Sequence, residues 1–439
     1  MEMYKMKDLT CECIEYFKSN SGFKRAIKGI REKYYSLGYL GGNFVLNNIT
    51  DIEKEALSGF LGKELRGKSV TINVKKFVNA LKNTKFENVN FIDVIEGYFN
   101  EKLVYKKEEK EKLGMEKNEC FDRILMNFKE GSPAFLWIND IKNKKNAGNI
   151  LASKIFEKSR DDFFYIIKMV GEGVNSLSFN KNKYERLAVF SARITKNPHF
   201  FDETNEGGKF LLYAISFILG ESIGNNAEQK AELLYKAGIV KDEISNFTTA
   251  CGILGYSDDA ENLGIRYFYE KGEPFNLNLW NINGLEKVTA PNGAVYVFEN
   301  PSVFSSVLEK TSDIKPSMVC TYGQVKLASL ILLDRLYENG CTIFYSGDLD
   351  PEGILIADKL KKRYKEKLIL WHYEILDYKQ IISNEKISEL RLKKLGGVES
   401  EEFHNLINIM KECKCSAYQE MLLDKYIDDI LNGYKSCLL

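Results

Sequence analysis

The 439-residue sequence has no net charge, because its 62 basic residues are balanced by 62 acidic residues. A chain without a basic excess lacks the broad positive field that drives non-specific binding to nucleic acids, so any contact with DNA must come from a local cluster of cations. No apolar run approaches the roughly 20 residues that a membrane span requires, and no charged leader with an apolar core opens the chain. We therefore expect no contact with a membrane.

Zinc ligands in a suitable arrangement are also scarce. The nine cysteines include two C-x-C pairs, Cys11/Cys13 and Cys413/Cys415, rather than the C-x-x-C pairs of common zinc sites, and His404 is the only histidine near either pair. Reduced thiols are the simpler interpretation, which favours a cytoplasmic protein.

Four short apolar runs occur in the last third of the chain, and segments of helical length and spacing separate them. They lie at residues 294–298, 318–320, 341–345 and 368–371. Pro301 and Pro351 stand where first helical residues belong, and Asp350 precedes its proline as an N-cap would. This alternation predicts an α/β domain with a parallel sheet.

Acidic residues follow two of these predicted strands. Glu299 follows the first, and Asp348 and Asp350 follow the third, whereas the second ends in the turn T-Y-G-Q. The carboxyl ends of parallel strands share one edge of a sheet, where ligands bind, so these three carboxylates should come within reach of one cation. A hard divalent ion such as Mg²⁺ would offset their repulsion and accept phosphate oxygens. The sequence therefore predicts a metal site for phosphate chemistry.

Other D-x-D sites fit less well. An EF-hand loop beginning at Asp348 would place Lys359 where a bidentate glutamate is required. A phosphotransferase with Asp348 as nucleophile normally reads D-x-D-x-T, but residue 352 is glutamate and Glu299 would have no role. A purely structural interpretation stays open, in which Asp350 caps a helix and Asp348 closes a turn.

The sequence resembles a known domain at these positions. Glu-Asn at the first strand end, Gly-Gln after the second and G-D-x-D-x-x-G after the third are similar to the toprim domain of topoisomerases, primases and related nucleases. Residues 38–62, 187–202 and 233–245 are similar to stretches of one family that carries this domain at its C-terminus. That family is the JetD-type nuclease subunit of Wadjet plasmid-defence systems, the partner of an SMC-like motor complex.

The resemblance implies a metal-dependent endonuclease that cleaves double-stranded plasmid DNA with Mg²⁺ or Mn²⁺ and is related in fold to type IIB topoisomerase A subunits. By motif, Glu299 is the acid/base glutamate, and Asp348 and Asp350 are metal ligands. Glu352 either binds a second metal or favours a helix N-terminus. Breaking both strands needs two sites, which implies a homodimer.

Contacts with DNA are expected on the lysine-rich segment after the D-x-D, at Lys361, Lys362 and Arg363, although such a helix face is also commonly just solvated. Gln324 could position phosphate, and His372, at the end of the fourth predicted strand, could touch it. Turn roles are equally ordinary for such residues.

Three domains are predicted: an α+β arm at residues 1–120, a mostly helical region with a possible winged helix at 121–286, and the Rossmann-like toprim domain at 287–439. None of the 24 tyrosines is marked as a nucleophile by its surroundings. We therefore favour hydrolysis by water. Two alternatives stay open, a topoisomerase-like tyrosine transesterase and a non-catalytic module that binds DNA structures.

Overall fold

The computed structural model describes residues 2–144, 146–179 and 184–433, with side chains from residue 9 onward. The chain divides into two compact units, one formed by Met1–Lys129 with Ile138–Tyr165 and the other by Glu130–Trp137 with Ile166–Leu439. No helix in the described ranges is both long enough and apolar enough to cross a membrane.

The helices are labelled in chain order. Helices α1 to α21 are Glu2–Ser19, Lys24–Leu37, Asp51–Leu61, Val74–Ala80, Phe91–Phe99, Lys106–Leu125, Pro133–Asn143, Ala147–Lys158, Arg160–Asn175, Leu187–Thr195, Glu206–Leu219, Ala227–Lys236, Leu263–Lys271, Leu279–Asn283, Pro301–Thr311, Leu327–Glu338, Pro351–Tyr364, Ile375–Ile381, Glu389–Lys394, His404–Cys413 and Leu423–Leu431.

The strands are labelled in the same way. Strands β1 to β15 are Asn43–Asn47, Ser69–Asn73, Glu185–Arg186, Ile239–Val240, Phe247–Cys251, Leu254–Ser257, Ala260–Glu261, Phe275–Asn278, Lys287–Thr289, Ala294–Phe298, Met318–Cys320, Thr342–Ser346, Leu368–Leu370, Ile382–Lys386 and Cys415–Ala417.

The first unit is a small α+β structure. Strands β1 and β2 pair antiparallel, and α3 begins with a capping box in which Thr50 and Glu53 bond each other's backbone N–H groups. Its core is rich in aromatic side chains, including Phe17, Phe77 and Phe91, whose rings pack at centroid distances of 5.8 to 6.0 Å.

The second unit contains a six-stranded sheet in the order β13-β12-β10-β11-β5-β8. The first four strands in this order are parallel, as predicted, and their apolar side chains are buried because helices flank the sheet. Pro301 and Pro351 do begin helices, and the Asp350 side chain does cap α17 by accepting the Gly353 N–H.

The sheet is mixed rather than purely parallel. Strand β5 pairs antiparallel with β11, and β8 pairs antiparallel with β5, although both lie in the region where the sequence favoured a possible winged helix. The Thr248 hydroxyl donates to the Cys320 carbonyl across this junction at 2.9 Å. Apolar alternation identified short strands there but could not identify their partner, and their pairing covers an edge of β11 that would otherwise be open.

Candidate active site

The ends of β10 and β12 lie side by side. These strands pair in parallel with Phe298 opposite Ser346, and the Glu299 N–H donates to the Ser346 carbonyl at 3.2 Å. Glu299 therefore emerges next to Gly347, directly before Asp348. The predicted meeting of the two acidic strand ends at one edge of the sheet is confirmed.

A buried glutamine fixes both strand ends. The Gln419 side chain donates to the Ser346 carbonyl at 2.6 Å and accepts the Asn300 N–H at 3.1 Å, while its backbone N–H donates to Asp348 Oδ1 at 3.0 Å. Gln419 is fully buried, so these hydrogen bonds are shielded from water. The residue thus ties the segments that follow β10 and β12 to one element.

The Glu299 carboxylate lies in a buried group of oxygen atoms. Glu299 Oε2 and the hydroxyls of Tyr345 and Tyr373 are all buried, and among the described residues none of them has a hydrogen-bond partner of ordinary geometry. A methyl group on Gly347 would lie 2.4 Å from Glu299 Oε2 and within 3.2 Å of both hydroxyls, so the glycine makes room for the carboxylate. Burial, and then repulsion by Asp348 and Asp350, raises the pKa of Glu299 to about 7, and the nearby Asp348 N–H and Tyr345 hydroxyl oppose this rise only in part.

Asp348 shares this unfavourable environment. Burial raises the pKa of Asp348, and the charges of Glu420 and Asp350 raise it further, although the hydrogen bond from Gln419 opposes the shift. No cation is among the causes of the shift at either Asp348 or Glu299. We call these two residues the inner pair. In the described part of the chain, no positively charged side chain offsets their negative charge.

Asp350 and Glu352, which we call the outer pair, form ion pairs with positively charged side chains. The Arg391 guanidinium contacts Asp350 Oδ2 and donates to Glu352 Oε2 from Nε at 2.9 Å and from Nη2 at 2.6 Å. Lys394 donates to Glu352 Oε1 at 2.7 Å. Burial alone would raise the pKa of Glu352, but the contacts with Arg391 and Lys394 lower it.

The four carboxylates therefore do not form one ready-made cluster. Within the described ranges, no three histidine, cysteine, aspartate or glutamate side chains stand close enough to hold a metal ion together. Asp350 instead bonds the Gly353 N–H through one oxygen and contacts the Arg391 guanidinium through the other. The metal roles expected for Glu299, Asp348, Asp350 and Glu352 stay predictions.

The cations predicted to contact DNA are engaged within the protein. Lys361 donates to the Leu368 carbonyl at 3.0 Å, and Lys362 pairs with Glu399 at 2.8 Å. Arg363 pairs with two further carboxylates, those of Asp334 and Glu232, at 2.5 and 2.7 Å. A phosphate would have to compete with these partners, so the DNA contacts at Lys361, Lys362 and Arg363 stay predictions that no contact supports.

His372 and Gln324 occupy different surroundings. His372 is largely buried at the end of β13, with Nε2 3.0 Å from Asp429 and Nδ1 3.3 Å from Asp377, so both ring nitrogens face carboxylates. Gln324 is exposed and lines a small cavity of about 200 Å³ together with Lys359 and Arg363. Neither side chain joins the acidic edge directly.

Sequence reasoning missed five residues of this site: Tyr345, Tyr373, Arg391, Lys394 and Gln419. The tyrosines lie in or beside predicted strands and read as core residues, which their burial supports. Arg391 lies 41 residues along the chain from its partner Asp350, and Gln419 lies 71 residues from its partner Asp348. No local pattern signals such contacts, because only the return of the chain past the sheet edge creates them.

Two family models match the chain. The model described as a protein of unknown function N-terminus (DUF3323) matches residues 40–255, and the one described as a protein of unknown function C-terminus (DUF2399) matches residues 275–430, which include the whole acidic edge. A comparison with curated proteins gave no match. The chain therefore has the two-domain architecture in which a DUF3323 N-terminal region precedes a DUF2399 C-terminal region.

Proposed function

We propose that the chain is a cytoplasmic, Mg²⁺- or Mn²⁺-dependent endonuclease for double-stranded plasmid DNA, serving an SMC-like defence complex. The order of the two matched regions supports this proposal, because it is characteristic of JetD-like proteins. The likeness of the strand-end residues to a toprim domain points in the same direction.

One observation carries the proposal most. Glu299 and Asp348 emerge from paired parallel strands at the edge where α/β sheets bind ligands, and they stay uncompensated and partly buried. Leaving two carboxylates in this condition costs stability, so an arrangement of this kind is typical of functional sites. A surface turn or a helix cap would not need Glu299 at all.

The inner pair fits a divalent cation. Its oxygens are hard ligands, no cation of the described chain pairs with Glu299, and Gly347 leaves space where any side chain would collide with the Glu299 carboxylate. A bound Mg²⁺ would supply a polarised water and neutralise charge on the phosphodiester. Glu299 and Asp348 would hold it.

Glu299 is also suited to proton transfer. In the metal-free chain the pKa of this carboxyl group lies at about 7, and a bound cation would lower it and favour the carboxylate, which is the form that acts as a general base. In the proposed reaction it accepts a proton from the attacking water. Asp350 supports the edge by capping α17, since this cap fixes the start of the helix beside the site.

The test uses supercoiled plasmid, the full-length chain and Mg²⁺ or Mn²⁺, with and without the SMC-like partner proteins. We expect linear product, and loss of cleavage in Glu299→Gln and Asp348→Asn. Glu412→Gln is the matched control, because Glu412 is an exposed glutamate of the same unit. Cleavage at the wild-type rate in both inner-pair variants would refute the proposal.

The transesterase alternative differs in its product. Tyr345 and Tyr373, whose hydroxyls lie nearest Glu299, are buried in the core and cannot reach a phosphodiester without unfolding the sheet edge. Hydrolysis therefore predicts free DNA ends. Protein that stays attached to the ends after denaturation would favour a tyrosine nucleophile, whereas metal-independent binding without any cleavage would favour the binding module.

We further propose that two copies act together, since one site cuts one strand and linearisation needs two cuts. A two-fold dimer would place two acidic edges on one duplex. Light scattering of the chain alone and with DNA should give a dimer in at least one state. A monomer in both states that yields only nicked circles would contradict the two-site arrangement.

A further inference from the structure

Charge is distributed unevenly over the four carboxylates of the edge. Among the described residues, no ion pair joins a cation to the inner pair, Glu299 and Asp348, whereas the outer pair, Asp350 and Glu352, faces Arg391 and Lys394. Two negative charges of the outer pair are thus matched by two positive charges. A further divalent ion there would be repelled by both cations.

The geometry of Arg391 matches a bridging role. Its planar guanidinium reaches Asp350 and Glu352 at once, as a metal ion between them would, and it cannot lose its charge. Its side chain is 30% exposed, and Lys394 restrains the other oxygen of Glu352. Displacing Arg391 would leave a partly buried guanidinium without its partners, which is unfavourable.

The inner pair lies among buried oxygen atoms rather than beside cations. Three buried oxygens, Glu299 Oε2, Tyr345 Oη and Tyr373 Oη, converge on the position next to Gly347, and none has a hydrogen bond of ordinary geometry within the described residues. Buried polar atoms are almost always bonded, and the Tyr345 hydroxyl lies close enough to Glu299 to act on its carboxylate, so the group is suited to a ligand that the carboxylate and the hydroxyls contact together. Tyr345 is fully buried, and its hydroxyl would lie 3.2 Å from a methyl group on Gly347.

We propose that the edge binds one divalent cation per chain, held by the inner pair, and that Arg391 takes the place of a second cation at the outer pair. This inference rests on the proposed function in that it assigns the metal stoichiometry of the same site. It gives Glu352 a role as the anchor of Arg391 rather than as a metal ligand.

The test is Mn²⁺ binding to the full-length, metal-free chain, measured by the loss of the free-ion signal in electron paramagnetic resonance and checked by calorimetry. We expect one ion per chain in the wild type. Asp348→Asn should weaken binding by more than about 100-fold, since it removes a ligand. Glu352→Gln should stay within about fivefold of the wild type, because it removes a charge that is already paired.

Arg391→Met should raise the stoichiometry to two, since it frees the outer pair. Lys393→Met is its matched control on the same helix, where an exposed cation without a carboxylate of the site is removed, and should leave one ion. Arg391→Gln serves if the methionine variant does not fold, as judged by thermal melts in EDTA. One ion in a folded Arg391 variant would overturn the role of Arg391.

Two ions in the wild type, or loss of binding in Glu352→Gln, would likewise overturn the inference. These outcomes are separable from failure of the proposed function. A chain that binds one Mn²⁺ and never cuts plasmid would refute the nuclease, whereas a chain that binds two and cuts would refute only the single-ion site.

Discussion

Gly347→Ala places a single methyl group at the centre of the candidate site. Its Cβ would lie 2.4 Å from Glu299 Oε2, whereas ordinary van der Waals contact begins at 3.4 Å. The carboxylate must therefore retreat by about 1 Å, a displacement that can reduce the rate of a positioned reaction about 100-fold. The two tyrosine hydroxyls at 3.1 and 3.2 Å limit the space into which it can move.

The effect on stability should be much smaller. Gly347 does not have a positive φ, so alanine can adopt its backbone conformation, and replacing glycine lowers the entropy of the unfolded chain by an amount worth about 0.4–1 kcal/mol. Steric strain of about 1–3 kcal/mol opposes this gain. We expect a net destabilisation of no more than about 3 kcal/mol, measured by denaturant unfolding in EDTA.

The assays are plasmid cleavage and Mn²⁺ binding, each compared with Gly397→Ala. Gly397 is exposed and has no positive φ, and a methyl group added there would meet nothing within 4 Å, so its variant should behave as the wild type in both assays. If Gly347→Ala folds, cuts at the wild-type rate and binds Mn²⁺ with unchanged affinity, then Glu299 is not the group around which the site is built.

Three further predictions concern stability and DNA contact. Because the pKa of Glu299 rises from 4.5 to about 7 on folding, the folded state holds a proton that the unfolded state releases, so the wild type in EDTA should lose stability as pH rises between these values. Glu299→Gln should show a smaller loss, because only the raised pKa of Asp348 still contributes to it; parallel pH profiles in thermal melts would contradict the assignment. Arg363→Met should destabilise the fold by about 1–3 kcal/mol by removing the ion pairs with Asp334 and Glu232, which keep Tyr364 and Lys236 as partners, yet weaken DNA binding no more than Lys359→Met on the same helix; a selectively larger loss in filter binding would restore its predicted DNA contact. Gln419→Leu should lower stability by about 1–3 kcal/mol in urea unfolding, because it leaves the Asn300 N–H without its acceptor and removes one of the two donors to the Ser346 carbonyl, whereas exposed Gln380→Leu should not. Equal midpoints would show that the Gln419 hydrogen bonds are dispensable.

The four parallel strands of the sheet could be predicted from the sequence. Buried parallel strands are nearly continuous apolar runs, and Pro301, Pro351 and Asp350 mark helix starts through local backbone chemistry, so both signals can be found within a few residues. The same local logic failed for β5 and β8. Their lengths and composition indicate strands, but which edge a strand joins depends on contacts about 70 residues away, such as that between Thr248 and Cys320.

The candidate site shows the same division between local and distant information. The placement of Glu299 and Asp348 follows from strand order alone, since any right-handed β-α-β connection brings successive strand ends to one edge. Strand order does not show which of these carboxylates forms an ion pair with a cation. Arg391 and Lys394 belong to a short, lysine-rich helix whose sequence resembles a solvated surface, and only its position against α17 turns two predicted metal ligands into ion-pair partners.

The inner pair lacks a cationic partner among the described residues and the outer pair has one, and this difference would keep the chain from cutting DNA when no divalent cation is bound. In the described part of the chain no cation offsets the charge of the inner pair, so any negative charge that Glu299 and Asp348 carry would repel a phosphodiester. The pairing of Arg391 with Asp350 and Glu352 leaves little positive charge to offset that repulsion. Binding of a divalent ion at the inner pair would neutralise the local negative charge, which makes the approach of DNA and the chemistry depend on the same event. DNA binding by the isolated chain should therefore strengthen when Ca²⁺, a cation that takes the same hard ligands, is added, and should not respond to Ca²⁺ in Asp348→Asn. Equal responses in both proteins, measured by fluorescence anisotropy of a labelled duplex, would show that the cation acts elsewhere.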